Sequence, residues 1–117
     1  MNVKIMIYIV IAAAIAGYYL YLRSDVASSE IVQEWIEKNA LIVDVRTPEE
    51  YASIHYEGSV NIPLGEIQSR INEFGSRENK IVLYCSTGNR SGQAKKILEK
   101  SGFENVINAG GLRQMGL

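Results

Sequence analysis

The apolar positions of this chain fall into two regimes. Ile5 to Leu22 contains no charged residue and is bracketed by Lys4 and Arg23, whereas beyond Arg23 short apolar runs alternate with charged, amphipathic stretches. As a helix rising about 1.5 Å per residue, the first run covers roughly 27 Å, close to the hydrocarbon thickness of a bilayer. The pattern predicts one transmembrane helix over residues 5–22, with Tyr18, Tyr19 and Tyr21 grouped at one end as interfacial residues are. A cleaved signal peptide is the rival reading, because Lys4 supplies a basic flank and Ala14-Ile15-Ala16 before Gly17 has the small-x-small form that a peptidase accepts. The apolar run continues past Gly17, which favours a retained anchor, and it has no polar face, which disfavours a buried core helix. The chain thus divides into residues 1–23, an anchor or signal peptide, and a domain over residues 24–117, with Ser24 to Ser29 as a linker.

The second part alternates strand-like and helix-like patterns, which predicts an α/β fold: an open, mainly parallel sheet flanked by helices. Ser29 can cap a helix that carries Ile31, Val32, Trp35 and Ile36 on one face and ends near Asn39, with Trp35 in the core. Leu41-Ile42-Val43-Asp44-Val45 reads as a strand buried on both faces, followed at once by the capping box Thr47-Pro48-Glu49-Glu50. A short strand over Val60 to Ile62 precedes a helix whose positions Leu64, Ile67, Ile71 and Phe74 share a face and which Gly75 ends. Ile81 to Tyr84 forms a second buried strand that delivers Cys85 at its carboxyl end. A helix over Ser91 to Ser101 turns Ala94, Ile97 and Leu98 inward, and a last strand over Asn105 to Asn108 leads to Gly110-Gly111.

Composition narrows the chemistry. With 117 residues, 12 Lys+Arg against 13 Asp+Glu, the chain holds at most one ordinary domain and has no basic footprint for nucleic acid. Setting aside Lys4 and Arg23 leaves 10 basic and 13 acidic residues, a domain of net −3. One cysteine excludes an internal disulfide, and one histidine excludes a His-rich metal cluster, so no metal and no cofactor is expected. The small bias of basic flanks places the N-terminus in the cytoplasm and the domain on the outer side of the membrane, the periplasm in a Gram-negative source.

What remains is a lone thiol at the carboxyl end of a strand, where ligands bind in open α/β sheets. A free cysteine is most often a small buried hydrophobe. Here the loop Cys85-Ser86-Thr87-Gly88-Asn89-Arg90 joins a strand end to a helix N-terminus, so its amides can converge on the sulfur or on an anion bound to it. Gly88 permits the tight turn, Arg90 adds a positive charge, and the helix dipole favours thiolate over thiol. The expectation is a depressed Cys85 pKa and a strong nucleophile at neutral pH.

Four stretches together resemble single-domain rhodaneses, which are sulfurtransferases. They are Leu41 to Tyr51 (LIVDVRTPEEY), His55 to Pro63 (HYEGSVNIP), Tyr84 to Ser91 (YCSTGNRS) and Asn108 to Leu112 (NAGGL), in the family's order and with compatible spacing. The cysteine loop and the helix after it are especially similar to the small periplasmic rhodaneses of the phage-shock response. The resemblance implies that Cys85 attacks the outer sulfur of a donor such as thiosulfate, becomes a persulfide, and passes the sulfur to an acceptor: cyanide, a thiol or a protein. It implies that Ser86, Thr87, Gly88, Asn89 and Arg90 bind the substrate, with Asp44, Arg46 and Ser91 in support. Asp44 is expected as a scaffold acceptor, and Arg46 either as a surface ion-pair partner of a carboxylate or as a substrate contact. Four residues between Cys85 and Arg90, one fewer than in the phosphatase branch of the fold, favour sulfur over phosphate as the transferred group.

His55 has no evident partner for a general-base role and is expected to hydrogen-bond within its loop. Lys95 and Lys96 read as a solvated helix face, and Gly110-Gly111 as a tight turn near the active loop. The family usually continues past the glycine pair with an aromatic residue and more helix, where this chain has Arg113-Gln114-Met115, so one wall of the cleft is expected to be open or built by a partner. Two other classes of function compete: a membrane-tethered module that binds a partner or relays sulfur without turnover, and a thiol redox sensor.

Overall fold

The computed structural model describes residues 1–23 and 25–117. Helix α1 covers Val3–Arg23. Over Val3–Leu20 it is long and apolar enough to cross a membrane, and no part of that window is buried against the rest of the chain.

Four parallel strands follow, β1 (Leu41–Asp44), β2 (Val60–Asn61), β3 (Lys80–Cys85) and β4 (Asn105–Gly111), in the order β2-β1-β3-β4. Period-2 alternation along β3 divides the core between the two faces of the sheet. Ile81, Leu83 and Cys85 pack with Val43, Phe74, Ala94, Leu98 and Phe103. Val82 and Tyr84 pack on the other side with Val32, Ile42, Ala109 and Met115. Buried on both faces, β1 and β3 must be nearly all apolar, as their sequences are.

Helix α2 (Ser29–Glu37) begins at the residue expected as its cap. Ser28, not Ser29, is the extended N-cap residue, and its hydroxyl accepts the Ile31 N–H. Ile31 faces solvent, Val32 is buried, and Trp35 is half-buried rather than core. The helix stops where expected, with Asn39 left-handed at φ 64°, the Asn39 N–H on the Ile36 carbonyl and the Ala40 N–H on that of Trp35. Helix α3 (Pro48–Ser53) has the full capping box between Thr47 and Glu50.

The single helix expected over Leu64 to Phe74 is instead two 3-10 turns, Leu64–Glu66 and Ile71–Phe74, joined by further turns. Spacings of three and four suit either geometry, and Gly65, Ser69 and Asn72 give the α form little support. Ile67 and Phe74 are buried all the same.

Helix α4 spans Asn89–Lys100, two residues longer at its start than expected. Strand β4 runs three residues past its expected end, through Gly111. Between Leu83 and Cys85 it gains one residue on β3, a bulge that carries Gly110 at φ 89°. The glycine pair is therefore the bulged end of a strand and not a separate turn.

Of the expected linker, Ser24 lies outside the described residues, and the part from Asp25 is not a free connection. Val26 bridges Asn108, the Ala27 N–H binds the Asn108 carbonyl at 2.8 Å, and Asp25 pairs with Lys95 at 3.1 Å. Lys95 accordingly leaves the solvated face assigned to it, while Lys96 stays exposed.

Candidate active site

Adjacent strands β1 and β3 send the chain away in opposite directions, to β2 on one side and β4 on the other. Their carboxyl ends form the topological switch point, where an open α/β sheet leaves a crevice. The first turns of α3 and α4 both open from it.

Cys85 ends β3 and is fully buried. Its sulfur accepts the Gly88 N–H at 3.0 Å and the Ser91 N–H at 3.5 Å, and lies 3.3 Å from the Ser91 hydroxyl. Gly88, at φ 97°, is the N-cap residue of α4 and has no side chain with which to cap, so Ser91 is the third helical residue. Sγ therefore takes the position of the missing cap. Burial pushes the Cys85 thiol up, but the Ser91 hydroxyl and the N–H groups of Ser91, Thr87 and Gly88 outweigh it and bring the pKa below its ordinary value.

Asn108, buried on β4, holds this arrangement from below. Its Oδ1 accepts the Ser91 hydroxyl at 2.7 Å and the Gly110 N–H at 2.9 Å, and its Nδ2 donates to the Gly88 carbonyl at 2.9 Å. A polar residue inside an apolar strand was the one available signal for this role, and only the fold says what it touches. The bulge brings Gly111 against the loop so closely that a Cβ there would collide with the Ser86 carbonyl.

Arg90 is paired within the protein. Its Nη1 and Nη2 donate to the two carboxylate oxygens of Glu50 at 2.7 and 3.0 Å, and Nη2 also reaches the Ser86 hydroxyl at 2.9 Å. The Ser86 hydroxyl in turn donates to Glu50 at 3.1 Å. Arg90 first, then the Thr47 N–H and the hydroxyls of Ser86 and Thr47, hold the Glu50 carboxyl well below the usual range against the opposing effect of burial. Glu50 was legible only as a capping residue, because its partner lies 40 residues away in the chain.

Asp44 and Arg46 form a buried pair, not a surface one. Arg46 is 3% exposed and Asp44 fully buried, with Nη2 and Oδ2 at 2.6 Å. Asp44 also accepts the Arg46 backbone N–H, and Arg46 reaches the Ile54 carbonyl, which ties β1 to the end of α3. His55 stacks on Tyr51 with centroids 3.8 Å apart, and its Nδ1 contacts the Tyr51 carbonyl, consistent with a local role. Thr87 and Asn89 lie exposed on the outer side of the loop.

At the carboxyl end of the chain, Met115 is buried in the core cluster with Val32 and Tyr84. Gln114 Oε1 accepts the Gly111 N–H at 2.9 Å. The segment that departs from the family pattern thus closes one face of the sheet and supports the glycine pair.

A family described as the Rhodanese-like domain matches residues 28–115. The chain is 42% identical over 76 residues to the thiosulfate sulfurtransferase PspE of Escherichia coli strain K12, covering 64% of this chain and 73% of PspE. It is 45% identical over 67 residues to the putative sulfur carrier protein YrkF of Bacillus subtilis strain 168, covering 57% of this chain and 36% of YrkF. Among solved structures it is similar to a rhodanese with anions from E. coli, with a TM-score of 0.61 at 42% identity over 64% of this chain and 89% of that one. With the family match spanning nearly all of the sheet and its helices, the chain belongs to the rhodanese-like domain family and is an enzyme of the rhodanese type.

Proposed function

We propose that the chain is a sulfurtransferase that moves a sulfane sulfur from a donor such as thiosulfate to a thiophilic acceptor through a persulfide on Cys85. The Cys85 thiolate attacks the outer sulfur of thiosulfate: the Sγ–S bond forms, the donor S–S bond breaks, and sulfite leaves with the electron pair. Cyanide, a thiolate or a protein thiolate then attacks the terminal sulfur and restores the Cys85 thiolate. The observation that carries the reading is the convergence of the Gly88 and Ser91 N–H groups on one sulfur atom. Such donors stabilise a thiolate, an anionic persulfide and a departing sulfite alike. Relatives named as thiosulfate sulfurtransferases support the same chemistry. Because Cys85 is fully buried, the donor must displace part of the Ser86–Asn89 loop to reach it.

Residues 24–117 are the catalytic domain in this reading and residues 1–23 its single-pass anchor, with the domain on the outer side of the membrane. The exposed apolar surface of α1 supports the anchor, and a signal sequence has the same appearance. Mass of the mature chain and its resistance to alkaline extraction from membranes separate the two.

The test is intact mass after incubation with thiosulfate, for wild type and for Cys85→Ser. A one-sulfur adduct on wild type alone, removed by cyanide with release of thiocyanate, is the expected result. A folded, reduced wild type that takes up no sulfur overturns the reading and moves the partner-binding and redox alternatives ahead.

A further inference from the structure

The positive charge of the cysteine loop is already matched within the protein. Both terminal nitrogens of Arg90 face the Glu50 carboxylate, at 2.7 and 3.0 Å, and the Ser86 hydroxyl closes the triangle with both partners. The pair spans the crevice from the first turn of α3 to the first turn of α4, and each side chain is 33% exposed. The rim around Cys85 is therefore neutral, and what favours negative charge at the sulfur is amide N–H groups and the helix dipole. A loop with an unmatched guanidinium would gain from each negative charge on its donor. This one gains far less, because Glu50 repels what Arg90 attracts.

We propose that Glu50 is a positioning residue that acts through Arg90 to set donor choice, shifting preference from dianionic thiosulfate toward sulfane-sulfur donors with one negative charge, such as thiosulfonates. The inference rests on the sulfurtransferase reading above. The step is the same in both cases: the Cys85 thiolate takes the outer sulfur, the donor S–S bond breaks, and the pair leaves on sulfite from thiosulfate or on a sulfinate from a thiosulfonate.

The experiment compares kcat and KM for thiosulfate and for methanethiosulfonate, with cyanide as acceptor, in the full chain in detergent. Glu50→Gln removes the charge but keeps an acceptor at the third position of the capping box. It raises the thiosulfate to methanethiosulfonate ratio of kcat/KM by about fivefold, mostly through a lower KM for thiosulfate. Arg90→Gln lowers the ratio, and the double variant, neutral again, returns it to near the wild-type value. Loss of folding in one variant would lower both donors together and would not produce this ordering. An active wild type whose ratio is unchanged in Glu50→Gln overturns the charge-matching inference alone. A folded wild type that transfers sulfur from neither donor overturns the sulfurtransferase reading, and this inference with it.

Discussion

The Cys85 sulfur serves as the side-chain cap of α4, through the Ser91 N–H at 3.5 Å, and lies 3.3 Å from the Ser91 hydroxyl. Thiol and helix start are one structural unit. A thiolate strengthens those contacts, so the charge state of Cys85 and the stability of α4 are linked.

Ser91→Ala removes one of the groups that lower the Cys85 pKa. The pH midpoint for alkylation of Cys85 by iodoacetamide moves up, and sulfur uptake at pH 7 falls roughly 3- to 10-fold, the scale of one ordinary hydrogen bond. A midpoint that does not move would separate Ser91 from thiolate stabilisation.

Stability should follow pH through the same group. A thiol whose folded pKa lies below its unfolded value stabilises the fold fully above the unfolded pKa, and the contribution disappears as pH falls through the folded one. Urea midpoints of wild type therefore rise between the lowered Cys85 pKa and the ordinary thiol range. Those of Cys85→Ser stay flatter over the same window.

Arg46→Ala leaves the Asp44 carboxylate buried without its partner. Breaking a buried pair in this way costs roughly 3–5 kcal/mol. Urea denaturation measures it, and a loss below about 1 kcal/mol would place Arg46 with the weak surface pairs that its sequence context suggested.

Gly111→Ala drives a methyl group into the Ser86 carbonyl, and backbone cannot swing aside as a flexible side chain does. The active loop must shift, and sulfur transfer falls by roughly tenfold or more, since small displacements of reacting groups have large kinetic effects. Gly65→Ala meets open space and serves as the control, with stability within about 0.5 kcal/mol of wild type. Equal activity in both variants would show that the close approach of β4 to the loop does not position it.

A chain beginning at residue 28 keeps the Ser28 cap of α2 but lacks the Asp25 pair with Lys95 and the Val26 and Ala27 contacts to Asn108. It melts several degrees below a chain beginning at residue 25, about 4–8 °C for each kcal/mol lost in a domain of this size. Identical melting temperatures would restore the segment to the role of a free linker.

Local patterns carried much of this molecule. The apolar runs at β1 and β3, the capping box at Thr47 to Glu50 and the cysteine at a strand end were all readable, because each depends on neighbours within a few residues. Errors arose where two geometries share one spacing, as at Leu64 to Phe74, or where a cap differs by one residue, as at Ser28.

The sequence by itself determined the strands and most of the helices, and that a lone thiol stands at the carboxyl end of a parallel strand. The tertiary structure alone decided the partners of the charged and polar groups around that thiol. Glu50 meets Arg90 across 40 residues and Asn108 meets Ser91 across 17. Arg46 became a buried partner of Asp44 because it lies just past the end of β1, a strand whose two faces are both packed. Period and propensity report only on a residue's own neighbourhood. The electrostatics of a site depend on which strand ends the topology sets side by side.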